Sequence, residues 1–215
     1  MVKVLIAMPT PNTGLMYTKT FISLIDLVKP PKFDFYFSRG GYIDSQRNSA
    51  AAHMLSDPEF THIFFVDSDM VIPKDALIKL FKEDKGIISG LYFHRNPPHE
   101  PHVYKIENSQ LKTIQDYHKD NLVECDAVGA GCLLIKREVF EKLNEHVKFI
   151  DGQHQFFVTT PTVGEDIFFC ELAKKHGFQI FSDTSVKCGH IELSVIEEND
   201  FIKTLAPHTD QQPSL

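Results

Sequence analysis

The chain has 215 residues, of which 42% are hydrophobic and 24% charged, with a formal net charge of −7 and a pI of about 5.8. This length suits one domain with a substantial core, and the composition is that of an ordinary globular protein. The negative balance argues against a nucleic-acid surface, and no apolar run approaches the ~20 residues of a membrane span.

The opening MVKVLIAMPTPN is a short apolar run broken by two prolines, which reads as a first strand and not as a signal peptide. A cytoplasmic protein is expected. Cys125, Cys132, Cys170 and Cys188 form no CxxC pair and sit in apolar or mixed segments. They read as buried thiols of a reducing compartment, not as zinc ligands.

VKVLIAMP has the continuous apolar character of a strand covered on both faces. TGLMYTKTFISLIDLVK follows, with Phe21, Leu24, Ile25 and Val28 at helical spacing, and stops at Pro30-Pro31. KFDFYFS alternates as a second strand, closed by RGG. DSQRNSAAAHMLSD is alanine-rich, and Asp44 can cap the helix it predicts. HIFFVD is a third strand. In IPKDALIKLFKEDKG, Pro73 suits a first helical turn and Gly86 an end. IISGLYF is another strand. Residues 95–126 are rich in Pro and His and then polar, and predict loops with a short hairpin; His94, His99 and His102 read as loop surface. CDAVGAGCLLIKREVFEKL is a small-residue strand running into a helix. GEDIFFCELAKKHG is a helix with Phe169, Leu172, Ala173 and His176 on one stripe and Gly177 as its C-cap. FQIFSDT and VKCGHI complete the pattern. Such alternation predicts an α/β fold with a mostly parallel central sheet flanked by helices. Ligands then bind beyond the C-terminal ends of the strands.

At one such end lies FFVDSDM. In an extended segment Asp67 and Asp69 share one side and Ser68 faces away. Two carboxylates on one side call for something positive between them, and a hard divalent cation with oxygen ligands is the natural partner. A solvated acidic turn is the plainer alternative.

FFVDSDM resembles the DxD motif of GT-A glycosyltransferases, family 2-like, and the surrounding pieces follow in that family's order. Pro9-Thr10 end the first strand, and Arg47-Asn48 precede the DxD strand. VGAGCLLIKREVF is similar to the acceptor-side strand and helix, GEDIFF to the ED motif, and CGHI to the late metal-binding histidine. The likeness covers residues 2 to 191. It implies one GT-A (Rossmann-like) domain over residues 1–192, with 193–215 a partly disordered C-terminal tail. The activity implied is transfer of a hexosyl group from a nucleotide-diphosphate sugar, UDP- or GDP-linked, to a hydroxyl of a glycan, protein or lipid-linked acceptor, with inversion.

By the same resemblance Asp69 binds the metal, Asp67 binds the ribose or shares the metal, and His190 completes the coordination; a histidine ligand favours manganese over magnesium. The ion neutralises the departing diphosphate. Asp166 is the general base. Pro9, Thr10 and Ser68 belong to the donor site, and Arg47 and Arg95 face its phosphates. Plainer roles exist for several of these: helix capping for Glu165-Asp166, a core histidine for His190, a helix-surface charge for Arg47. Where relatives end the second strand on an acidic residue, this chain has Ser38 and Arg39, so the base of the nucleotide is left open. Two rival classes remain. A haloacid-dehalogenase-like phosphatase would use Asp67 as nucleophile, since FFVDSDMV fits its DxDx(T/V) motif. A non-catalytic sugar-nucleotide-binding protein would keep the metal pair without chemistry at Asp166.

Overall fold

A computed structural model describes residues 2–108, 110–117 and 122–193 of the chain. The C-terminal tail expected from residue 193 therefore lies, beyond Leu193, outside the described residues. The elements begin with β1 (Lys3–Pro9), α1 (Thr18–Asp26), β2 (Lys32–Ser38), α2 (Ile43–Ser56), β3 (His62–Val66), β4 (Met70–Val71), α3 (Ala76–Lys82) and β5 (Ile87–Leu91). The middle of the chain forms β6 (Val103–Glu107), β7 (Gln110–Thr113), β8 (Leu122–Cys125), β9 (Ala127–Val128), β10 (Cys132–Lys136) and α4 (Arg137–Leu143). Then come β11 (Phe149–Ile150), β12 (Gln153–His154), α5 (Glu165–Lys175), β13 (Ile180–Lys187) and β14 (Gly189–His190).

Seven strands form the central sheet in the order β2-β1-β3-β10-β5-β13-β8. Strands β2, β1, β3, β5 and β13 run in one direction; β10 and β8 run against them. The sheet is thus mixed, and the expectation of a mostly parallel sheet is corrected by β10, which inserts antiparallel between β3 and β5. The strand–helix alternation is otherwise that of an α/β fold. Alternate residues of β1 and β3 explain their unbroken apolar sequences. Leu5, Ala7, Ile63 and Phe65 enter one core; Val4, Ile6, Phe64 and Val66 enter a second core on the opposite face. Both faces of the sheet are dry at β1 and β3, so polar residues at either parity there would be buried without partners.

Three local expectations need correcting. In α1 the buried face is Thr20, Ser23 and Leu24, with Leu27 at the cap, while Phe21, Ile25 and Val28 are about half exposed. A polar anchor sets this orientation: Ser23 Oγ accepts the Ile72 N–H at 3.1 Å and donates to Thr20 O at 2.8 Å. Asp44 lies inside the first turn of α2 and does not cap it; its Oδ2 instead accepts the N–H of Thr159 at 3.1 Å. Pro73 precedes α3, and its carbonyl accepts the Ala76 N–H at the start of that helix. Gly177 does follow α5 at φ 87°, the left-handed conformation expected of a C-cap glycine. All four cysteines are buried and unpaired. Among the described residues no helix is long and apolar enough to cross a membrane.

Candidate functional site

The acidic stretch leaves β3 as a turn. Met70 N–H donates to Asp67 O at 3.1 Å, so Ser68 and Asp69 occupy the corner. The expected alternation, with Ser68 facing away, does not hold: Asp67, Ser68 and Asp69 line one cleft together with Pro9, Thr10, Pro11, Ile43 and Gln46. Its volume is about 270 Å³. Thr10 is fixed in the wall, its N–H donating to Gln46 Oε1 at 2.8 Å and its hydroxyl to Ser38 O at 2.5 Å.

Arg47 is neither a surface charge nor open to this cleft. It is 2% exposed, and its Nη2 binds Asp67 Oδ1 at 2.8 Å while Nε binds Glu165 Oε1 at 3.0 Å. Its Nη1 is buried with no hydrogen-bond partner among the described residues. Burial raises the Asp67 carboxyl above its ordinary value, and the Arg47 guanidinium opposes that rise.

Asp69 is served from the other side. Its Oδ2 lies 3.4 Å from His190 Nε2 and 3.3 Å from Arg95 Nη1. The short ladder of β14 against β4 pairs His190 with Met70, and the Ile191 N–H donates to Asp69 O at 2.8 Å. His190 Nδ1 donates to Phe93 O at 2.8 Å, since a carbonyl can only accept. Its Nε2 is therefore the nitrogen presented to Asp69. A bare lone pair facing a carboxylate is repulsive, so this arrangement suits either a proton or a cation. Burial disfavours the imidazolium, but Asp69 and the Phe93 carbonyl outweigh it and raise the His190 pKa. Likewise burial would lift Asp69, and His190 with Arg95 holds it below the usual carboxylate value.

Asp166 stands at the N-terminus of α5, where Oδ1 accepts the Ile167 N–H at 2.8 Å. Burial, then the charge of Glu165, pushes its pKa up to about 6. Such a carboxylate is poised to exchange a proton near neutrality, which simple capping does not require. Beside it lies a residue that sequence reasoning missed. Tyr92 is buried, its Oη accepts the Gly131 N–H at 3.0 Å, and burial, then the charge of Asp166, raises its pKa. The small residues of VGAG make room for that ring. A Cβ on Gly129 would stand 1.9 Å from Tyr92 Oη, and one on Gly131 3.0 Å from Cζ.

His94 and His102 are not loop surface. Their rings stack at 3.7 Å, and His102 stacks on Tyr92 at 4.5 Å. Tyr104 Oη joins them, 2.8 Å from His94 Nε2 and 3.0 Å from His102 Nδ1. A hydroxyl has one proton to give, so one ring nitrogen donates and the other accepts. Burial, then His94, pushes His102 down to about 3. The signal for this stack was the YFHRNPPHEPHVY string itself, whose histidines the antiparallel bridge of Phe93 with Pro101 folds back beside Tyr92. His99 stays exposed, its Nδ1 on His94 O.

The structure thus brings Asp67, Asp69, Arg47, Arg95, Asp166 and His190 to one end of the sheet, with Pro9, Thr10 and Ser68 in the adjoining cleft wall. Among the described residues no three His, Cys, Asp or Glu side chains are gathered as ligands of one ion. Asp69 and His190 nonetheless fit a divalent cation in donor type and in the outward-held tautomer, which a carbonyl behind a ligand histidine secures. Asp67 has one oxygen engaged by Arg47.

No family model matches the sequence, and no curated protein matches it. Among solved structures, the fold is similar to that of A197 from STIV, with a TM-score of 0.59 over 89% of this chain and 87% of that one. The two sequences are 19% identical, so the likeness speaks for the fold alone.

Proposed function

We propose that this chain is a metal-dependent glycosyltransferase with a single GT-A domain over residues 1–192, moving a sugar from a UDP- or GDP-linked donor to an acceptor hydroxyl with inversion. The observation that carries the reading is the meeting of Asp69 with the outward nitrogen of His190, at the same end of the sheet as a half-buried Asp166 whose pKa burial and Glu165 push up to about 6. A divalent ion, manganese by the imidazole in its ligand set, would be held by Asp69 and His190, and Asp67 would offer its second oxygen to it or to the donor ribose. When bound, such an ion neutralises charge on the departing diphosphate.

The chain's own residues do the rest. Pro9, Thr10 and Ser68 shape the cleft that receives the nucleoside. Arg95, half exposed on its loop, leaves Asp69 for the donor phosphates. Asp166 accepts the proton of the acceptor hydroxyl as that oxygen bonds to the anomeric carbon and the carbon–phosphate-oxygen bond breaks. The nucleoside diphosphate departs with that electron pair. Arg47 takes no part in these transfers; it holds Asp67 and Glu165 in place through its two ion pairs.

Calorimetric titration with UDP, GDP, CDP and dTDP, each with manganese and with chelator, tests the donor site. One nucleotide is expected to bind only with the metal; binding of none overturns the reading. Asp166→Asn is expected to keep that binding and lower turnover by two or more orders of magnitude. With Asp166 as base, kcat/KM falls about tenfold per unit as pH drops below about 6, because the protonated carboxyl cannot take the acceptor's proton. Normal transfer by Asp166→Asn removes it from the mechanism.

A further inference from the structure

Strand β2 ends the central sheet, and no strand pairs with its outer edge among the described residues. Parallel register with β1 places Phe33, Phe35 and Phe37 on the face of Val4, Ile6 and Met8, which α1 covers. The three residues are 36% to 42% exposed, with the Phe33 ring edge-on to Phe35 at 5.6 Å between centroids and Phe35 stacked on Phe37 at 5.8 Å. Ser23 turns one flank of α1 toward Ile72 beside β4. Phe21 and Ile25, two residues either side of it, lie roughly 160° round the helix and are 50% and 59% exposed. Val28 follows them, and Lys29 Nζ reaches to 5.7 Å from the Phe33 ring. An open strand edge and an apolar aromatic layer therefore adjoin.

The charges on this edge are answered within the chain. Lys3 lies 3.1 Å from Asp34, and Glu59 lies 3.7 Å from Lys32. A strand edge usually keeps other strands off with unpaired charge or proline, and β2 presents neither. We propose that a second copy of this chain pairs with β2, antiparallel about a twofold axis at Phe35, so that one sheet runs through the dimer. In that register Phe35 faces the partner's Phe35 and Phe33 faces the partner's Phe37. Asp34 meets the partner's Tyr36, and Lys32 the partner's Ser38, so no like charges are opposed. Phe–Phe cross-strand pairs are among the favourable ones. At ~150–250 Å² for a whole aromatic side chain, these half-exposed groups amount to several hundred Å² a side. That is about half of the ~800 Å² per partner of stable complexes, and the paired strand backbones bury more.

Sedimentation equilibrium of the full chain is expected to give twice the 24.5 kDa chain mass. Phe35→Lys sets two ammonium groups against each other on the axis and is expected to weaken the dimer at least tenfold. Phe35→Cys supplies a readout independent of that variant's folding. Directly opposed residues in an antiparallel pair have Cα atoms about 4.5–5.5 Å apart, within disulfide reach. Mild oxidation is therefore expected to cross-link Phe35→Cys to itself. Phe33→Cys should cross-link to Phe37→Cys and not to itself, and the wild type, with its four buried thiols, should not cross-link at all. A monomer at every concentration overturns the proposal, whether the edge is bare or covered by residues 194–215. So does a dimer that Phe35→Lys leaves intact, or one that is lost when residues 194–215 are removed.

Discussion

Asp67, Glu165 and Asp166 crowd the inner end of the site, and Arg47 is the cation that two of them touch. A guanidinium suits the position because its planar fork donates in several directions from one fixed centre, which an ammonium on a flexible stem does not. Removing it leaves Asp67 and Glu165 without their counter-charge, and uncompensated buried charge is the expensive case. Arg47→Met is expected to lower unfolding free energy by about 3 kcal/mol, the lower end of the ~3–5 kcal/mol range, because Asp67 keeps 30% of its side chain in water. Urea denaturation checks this, and adding Glu165→Gln to Arg47→Met should recover part of the loss. A loss below about 0.5 kcal/mol, the size of an ordinary surface change, would mean that the pair of ion bridges contributes nothing. From sequence, Arg47 sits in an alanine-rich helix among polar neighbours and looks exposed. Only its partners, 20 and 118 positions away, reveal that it is buried.

The loop between β9 and β10 owes its composition to a side chain far along the sequence. Gly129 and Gly131 are required by the Tyr92 ring and not by local backbone geometry. Gly129→Ala puts a methyl group into the Tyr92 hydroxyl and is expected to destabilise by about 1–3 kcal/mol, as overpacking does. Tyr92→Phe should relieve little of it, since the ring carbon Cζ would still stand 2.8 Å from the new Cβ. Tyr92→Ala should abolish the extra loss, and a double-mutant cycle by thermal or urea unfolding measures that coupling. Additive effects would disprove the contact. Elements of this kind show how much the sequence disclosed. The apolar runs of β1 and β3 were legible because burial alone sets them, as were Phe169 and Ala173 of α5, although Cys170 completes that helix's buried face while Leu172 and His176 stay half-buried. The orientation of α1 was not, because a single hydrogen bond from Ile72 to Ser23 outweighs the apolar stripe of Phe21, Ile25 and Val28. The acid pair was legible as the end of a strand, yet its shared side arises from a turn and not from strand alternation.

Across the whole molecule, the order of strand–helix alternation was readable and the neighbourhood of strands was not. The apolar run CLLIK fits a buried strand in either direction, and only pairing with both β3 and β5 makes it antiparallel. The same limit hid the histidines, whose environments come from packing. His62, at the start of β3, lies edge-on to Phe81 with ring centroids 4.7 Å apart. Burial, then the charge of Lys136, pushes its pKa down to about 4. Above pH 6.5 it is neutral folded and unfolded, so its full contribution to stability is present. Between pH 6.5 and about 4 the unfolded chain takes up a proton that the folded chain refuses, and stability is lost as pH falls. Asp166 acts in the opposite sense, because its raised pKa makes the folded state the better proton acceptor below about 6. The prediction is therefore a difference between two proteins. His62→Gln, able to keep a hydrogen bond to the Thr61 hydroxyl that His62 Nδ1 meets at 2.8 Å, should take up as much as one proton fewer on unfolding at pH 5 than the wild type. The slope of unfolding free energy against pH gives that number directly. Equal slopes for the two proteins between pH 6.5 and 4 would mean that His62 titrates alike in both states and is open to water in the fold.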